Sequence, residues 1–267
     1  MKNLLRLHLF TLATIFCVSA GAYDFELDGI YYNILSLEEK TVQVTVGEKL
    51  YEGRVTIPPA IRFANKKFVV TEIEDGAFSD CGELLYIEVP NSVKRLNNFC
   101  HNCPKLTDAI LPEGLELMTL SFHYCQSLKS INLPETLKDD FVDNFHFCHA
   151  LASVEVPRNV RSVTNSFRDC TSIEWVIIST RIVNINNSFR GCKGIKSVIP
   201  LNTTPIKVDV DSPLGLTSFD GLTKATATLY VPLEGLLHYK KDAFWCGFSK
   251  IRVLEAAMNI QTLTGKQ

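Results

Sequence analysis

Cysteines fall at positions 81, 103, 125, 148, 170 and 192, at intervals of 22, 22, 23, 22 and 22 residues. A fixed period between about 20 and 50 residues marks a repeat architecture, and this one lies in the leucine-rich-repeat range. Neighbouring columns keep the same register. Three residues before each cysteine stand Phe78, Cys100, Phe122, Phe145, Phe167 and Phe189, and three after it Leu84, Leu106, Leu128, Leu151, Ile173 and Ile195. Six after it the column reads Ile87, Ala109, Ile131, Val154, Val176 and Val198, and prolines at 90, 112, 134 and 157 close the apolar stretch. Apolar, often β-branched residues two apart and ended by proline predict one short parallel strand per repeat, with one face buried.

One such unit cannot bury its own apolar side, but units stacked about 4.8 Å apart bury continuous columns of Phe, Cys, Leu and Ile. Cys81, Cys103, Cys125, Cys148, Cys170 and Cys192 are thus expected to form a structural ladder of compact apolar side chains. Each proline stops its strand before the chain swings around the outside.

The pattern F-x-x-C-x-x-L-x-x-I-x-V/L-P resembles the BspA-like leucine-rich-repeat family of bacterial secreted and surface proteins, and Ile73, Gly76, Ala77, Phe78 and Cys81 form the nearest copy of its signature. Cys100 stands where that pattern has phenylalanine. The resemblance implies a leucine-rich-repeat solenoid of the α/β horseshoe class, a β-rich right-handed superhelix with β-rich caps. It also implies adhesion to, or protein–protein interaction with, host matrix or bacterial surface components.

At the N-terminus, Lys2 and Arg6 precede an apolar run to Val18 and the small residues Ala20, Gly21 and Ala22, which reads as a secretory signal peptide cut after Ala22. Phe16 before Cys17 is too bulky for a lipidation motif. No other stretch approaches the ~18 apolar residues of a membrane span, so the expected product is secreted or at the cell surface and not membrane-spanning. Removing the leader takes two positive charges from the 27 Lys+Arg and leaves 25 against 29 Asp+Glu, a net −4 that argues against a nucleic-acid partner.

Residues 23–72 read as an N-terminal β cap with strands at Ile30 to Leu35, Thr41 to Val46 and Arg54 to Ile57, the last opening a degenerate first repeat. An uncapped stack would expose strand edge and apolar ladder. Repeats occupy residues 73–200, followed by a C-terminal cap over 201–256 and a tail over 257–267. In that cap Leu229 to Val231 reads as a strand, Leu233 to Lys241 as one or two helical turns, and Phe244, Trp245 and Phe248 as apolar mass.

Nine cysteines in an exported chain invite disulfides, but thiols in one ladder point the same way instead of toward each other. Cys100 and Cys103 have C-x-x-C spacing, yet both occupy apolar columns and no second ligand pair accompanies them. No metal or other cofactor is expected. Two residues before the cysteines, Ser79, His101, His123, His146, Arg168 and Arg190 form a column expected to face outward, with His149 nearby. Stacked imidazoles could share a divalent metal or titrate together near neutrality. With the arginines they could bind an anionic glycan or carboxylate. The plain alternative is a solvated turn. On the outward strand positions, Trp175, Ile177 and Ile199 would touch across two coils as an exposed apolar contact patch, unless the segment after Pro200 folds over it.

No G-x-S-x-G, H-E-x-x-H, P-loop or dinucleotide fingerprint is present. The sequence therefore reads as a binding protein and not an enzyme. Its alternatives are a carbohydrate- or anion-binding protein that uses the His/Arg spine, and a structural envelope component.

Overall fold

The computed structural model describes residues 23–208 and 217–255. The expected signal peptide, the stretch around Pro213 and the tail from residue 257 lie outside the described residues.

The first five-stranded sheet contains Phe25–Leu27, Ile30–Ser36, Thr41–Val44, Lys66–Ile73 and Ala60–Phe63, in that spatial order. Its pairings are antiparallel except for Thr41–Val44 on Lys66–Ile73. Gly53–Thr56 leaves this sheet to pair in parallel with Leu84–Glu88 and so begins the stack of repeats.

Each repeat was expected to supply one strand, but most supply two. The first set forms a three-stranded sheet from Gly53–Thr56 to Asp108–Ile110 and a five-stranded sheet from Ser153–Glu155 to Lys250–Val253. The second set is a six-stranded parallel sheet running from Arg95–Asn97 to Lys207–Val208. These second strands are short because each brings mainly one residue inside, as Leu96, Met118, Phe141, Val163 and Ile185 do. The strand expected at Ile131 does not form, and the first face divides there. This gap falls in the unit with the 23-residue interval, and the pairing of Asp139–Val142 with Val160–Thr164 shifts register between Asp139 and Asp140.

The core is a ring ladder along the stack. Phe122, Phe145, Phe167, Phe189 and Phe219 follow one another at 5.2 to 5.5 Å with nearly parallel planes. Cys100 leaves no gap, because Phe99, one residue earlier, supplies the ring between Phe78 and Phe122. Tyr51 extends the ladder at one end and Trp245 at the other. At that second end the Trp245 indole donates to the Ile206 carbonyl at 2.9 Å, and Tyr239 donates to Thr204 at 3.2 Å.

The ladder cysteines do more than fill space. Cys103, Cys125, Cys148, Cys170 and Cys192 each donate from Sγ to a carbonyl of the preceding coil, at 2.9 to 3.0 Å. The Phe122, Phe145 and Phe167 carbonyls also accept a cysteine amide of their own turn at 3.3 Å, so the thiol adds a donor from the next coil and serves as more than a small apolar group. All eight described cysteines are free. Burial pushes the Cys81 thiol up to about 12 and those of Cys125, Cys148 and Cys192 well above the ordinary value, which leaves them inert as nucleophiles.

A second polar ladder lies one residue before the phenylalanines, at Ser121, Asn144, Ser166 and Ser188, all fully buried. Ser166 and Ser188 donate back one coil to Phe141 and Val163 at 2.9 and 2.8 Å. Asn144 donates to Met118 at 3.1 Å and Val142 at 2.9 Å, and accepts from the Ser121 amide at 3.0 Å. Coils are thus tied by side-chain bonds inside the stack as well as by the two sheets.

Candidate binding site

The expected spine exists as a half-buried row and not as a row of free side chains. His101 and His123 have ring centroids 5.7 Å apart, and His123 and His146 stack in parallel at 4.4 Å. Nε2 of His123 meets the Asp143 carbonyl at 2.5 Å, and Nε2 of His146 meets the Asn165 carbonyl. A nitrogen facing a carbonyl must carry the proton, so only Nδ1 of each ring is left to accept or ligate. Among the described residues no three His, Cys, Asp or Glu side chains are placed to hold a metal ion.

Titration of the spine near neutrality was one possibility in the sequence, and in the fold His123 and His146 are shifted below their ordinary value. Burial first, then the neighbouring His123 and Arg168, pull His146 down to about 4, and burial also lowers His123. Asp143, 3.7 Å from His146 Nε2, favours the charged form but is outweighed. Because the folded value lies below the unfolded value near 6.5, the unfolded chain takes up the proton first. Stability is therefore full above about pH 6.5 and falls as pH drops toward 4. Urea unfolding at pH 7 and pH 4.5 should differ by about 2 kcal/mol from this group, and His146→Gln should remove most of that difference.

Trp175, Ile177 and Ile199 meet as predicted, but they do not form an open patch. They are 8%, 3% and 0% exposed, and Leu201, Tyr230 and Leu254 pack against them. The cause is strand register. Thr228–Val231 pairs with Ser197–Pro200 so that Val198 faces Leu229, and Tyr230 continues the outward row beside Ile199. The row is thus a second, smaller apolar cluster.

A different surface comes from the residue just before each ladder cysteine. Asp80, Asn102, Tyr124, Phe147, Asp169 and Gly191 all have positive φ, between 55° and 75°. The turn requires it. In this conformation the amide donates to the carbonyl of the spine residue in the next coil, from Asp80 to His101, Asn102 to His123, Tyr124 to His146, Phe147 to Arg168 and Asp169 to Arg190, at 2.7 to 2.9 Å. Asp, Asn and Gly tolerate left-handed backbone, whereas a bulky side chain there costs roughly 1–2 kcal/mol. Two of the six positions nevertheless carry aromatic rings.

The column four residues earlier repeats the exception. Gly76, Asn98, Leu120, Asp143, Asn165 and Asn187 all have positive φ, and only Leu120 is apolar. The inward Phe122 and Phe145 of the same two coils share the left-handed conformation. Leu120 is 43% exposed and Tyr124 38% exposed. Tyr124 and Phe147 stack at 4.7 Å and 6°, His101 lies 5.8 Å from Tyr124, and His149 meets Phe147 edge-on at 6.1 Å. Sequence reasoning passed over this pair although the column was in register. Its signal was two rings in a column otherwise of Asp, Asn and Gly.

A family model described as a BspA-type leucine-rich-repeat region matches residues 30–139 and 118–210, in six copies. The crystal structure of a leucine-rich-repeat protein from T. pallidum is similar at 24% identity and a TM-score of 0.54, covering 66% of this chain and 83% of that one. A leucine-rich cell-surface protein from Faecalibacterium prausnitzii is similar at 17% identity and a TM-score of 0.57, covering 85% and 72%. At these identities the likeness is one of fold. No curated protein matches the chain.

Proposed function

Since this chain belongs to the BspA-type leucine-rich-repeat family, we propose that it is an exported, non-enzymatic binding protein that contacts host or bacterial surface components. In this reading residues 1–22 are a signal peptide, 23–72 and 201–256 cap a right-handed repeat solenoid, and 257–267 form a tail. Among the described residues no helix is long and apolar enough to cross a membrane.

The observation that carries the reading is the division of labour between columns. Inward Phe, Cys, Leu and Ile are 0 to 3% exposed in nearly every repeat and fill the interior of the stack. Outward positions are then left to vary on a rigid frame, which suits a binding surface. The plain test is retention of the chain from Tyr23 to Gln267 on bacterial cells and on immobilised matrix proteins. Saturable retention, competed by unlabelled protein, is the expected result.

The spine remains part of this proposal as the floor of the contact surface, with His101, His123, His146, Arg168 and Arg190 half-buried along it. Neutral His123 and His146 weaken the case for an anionic ligand.

A further inference from the structure

We propose that the turn edge of the third and fourth cysteine repeats, centred on the stacked rings of Tyr124 and Phe147, binds a neutral saccharide. This inference does not rest on the protein-contact reading above. It starts from residues that break a local rule kept elsewhere. At a left-handed position filled by Asp80, Asn102, Asp169 and Gly191 in the other repeats, the chain places two rings, and at the companion position it places Leu120. Backbone strain of this kind persists where the surroundings enforce it, and it concentrates at ligand sites. The inward rings complete the core ladder without these two.

The chemistry around the rings selects the class of ligand. Tyr124 and Phe147 are stacked at 4.7 Å, and the rings of His101 and His149 adjoin them at 5.8 and 6.1 Å. Stacking takes up the facing sides of the two rings, so the C–H groups of a pyranose would lie along the outer side of the pair, with hydroxyls at the rim that need neutral donors and acceptors. His123 and His146 each keep one ring nitrogen not committed to its backbone carbonyl. The Arg168 carbonyl accepts the Phe147 amide, and the buried Nε of Arg168 has no hydrogen-bond partner.

Charge gives no preference for an anion, since Arg168 and Arg190 stand among Asp143 and Asp169. Size argues against a protein as the occupant. Two aromatic side chains offer at most roughly 300–500 Å², short of the ~800 Å² per partner in a stable protein interface, but enough for one or two sugar rings.

The test is calorimetric titration of the chain from Tyr23 to Gln267 with cellohexaose, chitohexaose and mannohexaose, and with a sulfated hexasaccharide for comparison. At least one neutral hexasaccharide should bind, with affinity unchanged between 50 and 500 mM salt and at least tenfold weaker in Tyr124→Asn/Phe147→Asn. Asparagine suits the left-handed backbone, so this variant should keep its circular dichroism spectrum. Should it unfold, aromatic proton shifts of the unmutated protein decide the matter, and those of Tyr124 and Phe147 should move on titration. Binding of the sulfated sugar alone, binding unaffected by the double substitution, shifts confined to other rings, or no binding at millimolar sugar would each overturn the proposal. So would protein ligands that alone compete at these rings.

Discussion

Phe167→Ala should lower the free energy of unfolding by about 3–5 kcal/mol, read from urea denaturation followed by far-ultraviolet circular dichroism. Phe167 is fully buried and lies between Phe145 at 5.5 Å and Phe189 at 5.3 Å. Removing the ring takes away its own burial and also the stacking partner on each side, and parallel sheets above and below leave little room for collapse. In a stack where each repeat contacts mainly its neighbours, a gap at the centre also weakens coupling between the two halves. A broadened or two-step transition should accompany the lower midpoint. A loss below about 1 kcal/mol would mean that the rings are not the core described here.

The second large effect is expected from a polar residue. Asn144→Leu keeps the volume but leaves the Ser121 amide without its bond of 3.0 Å inside the protein, and takes the 3.1 Å side-chain bond from the Met118 carbonyl, which keeps its place in the pairing of Leu117–Thr119 with Asp139–Val142. The Val142 carbonyl is less affected, because it also accepts from the Leu120 amide. One orphaned buried amide costs about 1–3 kcal/mol. Asn144→Ser should cost much less, since Ser121, Ser166 and Ser188 hold the same column and Ser166 and Ser188 bond to the preceding coil. If the leucine variant matched the serine variant in urea, the polar ladder would have no part in coupling the coils.

These two residues also mark what the sequence disclosed. Phe167 was legible because its column is apolar, periodic and next to the cysteines. Asn144 was in the same register, yet serine and asparagine in a turn read as solvated, and only the packed coil shows that each reaches carbonyls about 25 positions away in sequence. The second strands were missed for a related reason. Arg95–Asn97 or Asn184–Asn186 has one buried residue between two polar ones, too short an alternation to signal a strand. At the surface, the Trp175 row was correctly aligned across coils, but Tyr230 and Leu254, which pack on it, come from beyond the periodic region. The histidine column was visible, while the downward shift of His123 and His146 depended on their burial. Tyr124 and Phe147 required the backbone conformation, because only a left-handed φ makes a ring there costly.

That the surface of this stack exists to bind is tested most directly by surface plasmon resonance. Folded chain from Tyr23 to Gln267 would be passed over immobilised matrix proteins, bacterial envelope fractions and neutral and sulfated glycans. The predicted result is saturable binding to at least one of these surfaces, retained in Trp175→Phe and reduced when turn-edge residues are changed. Folded protein that binds none of them, while assembling with itself into large particles, would contradict a binding role and point to a structural one.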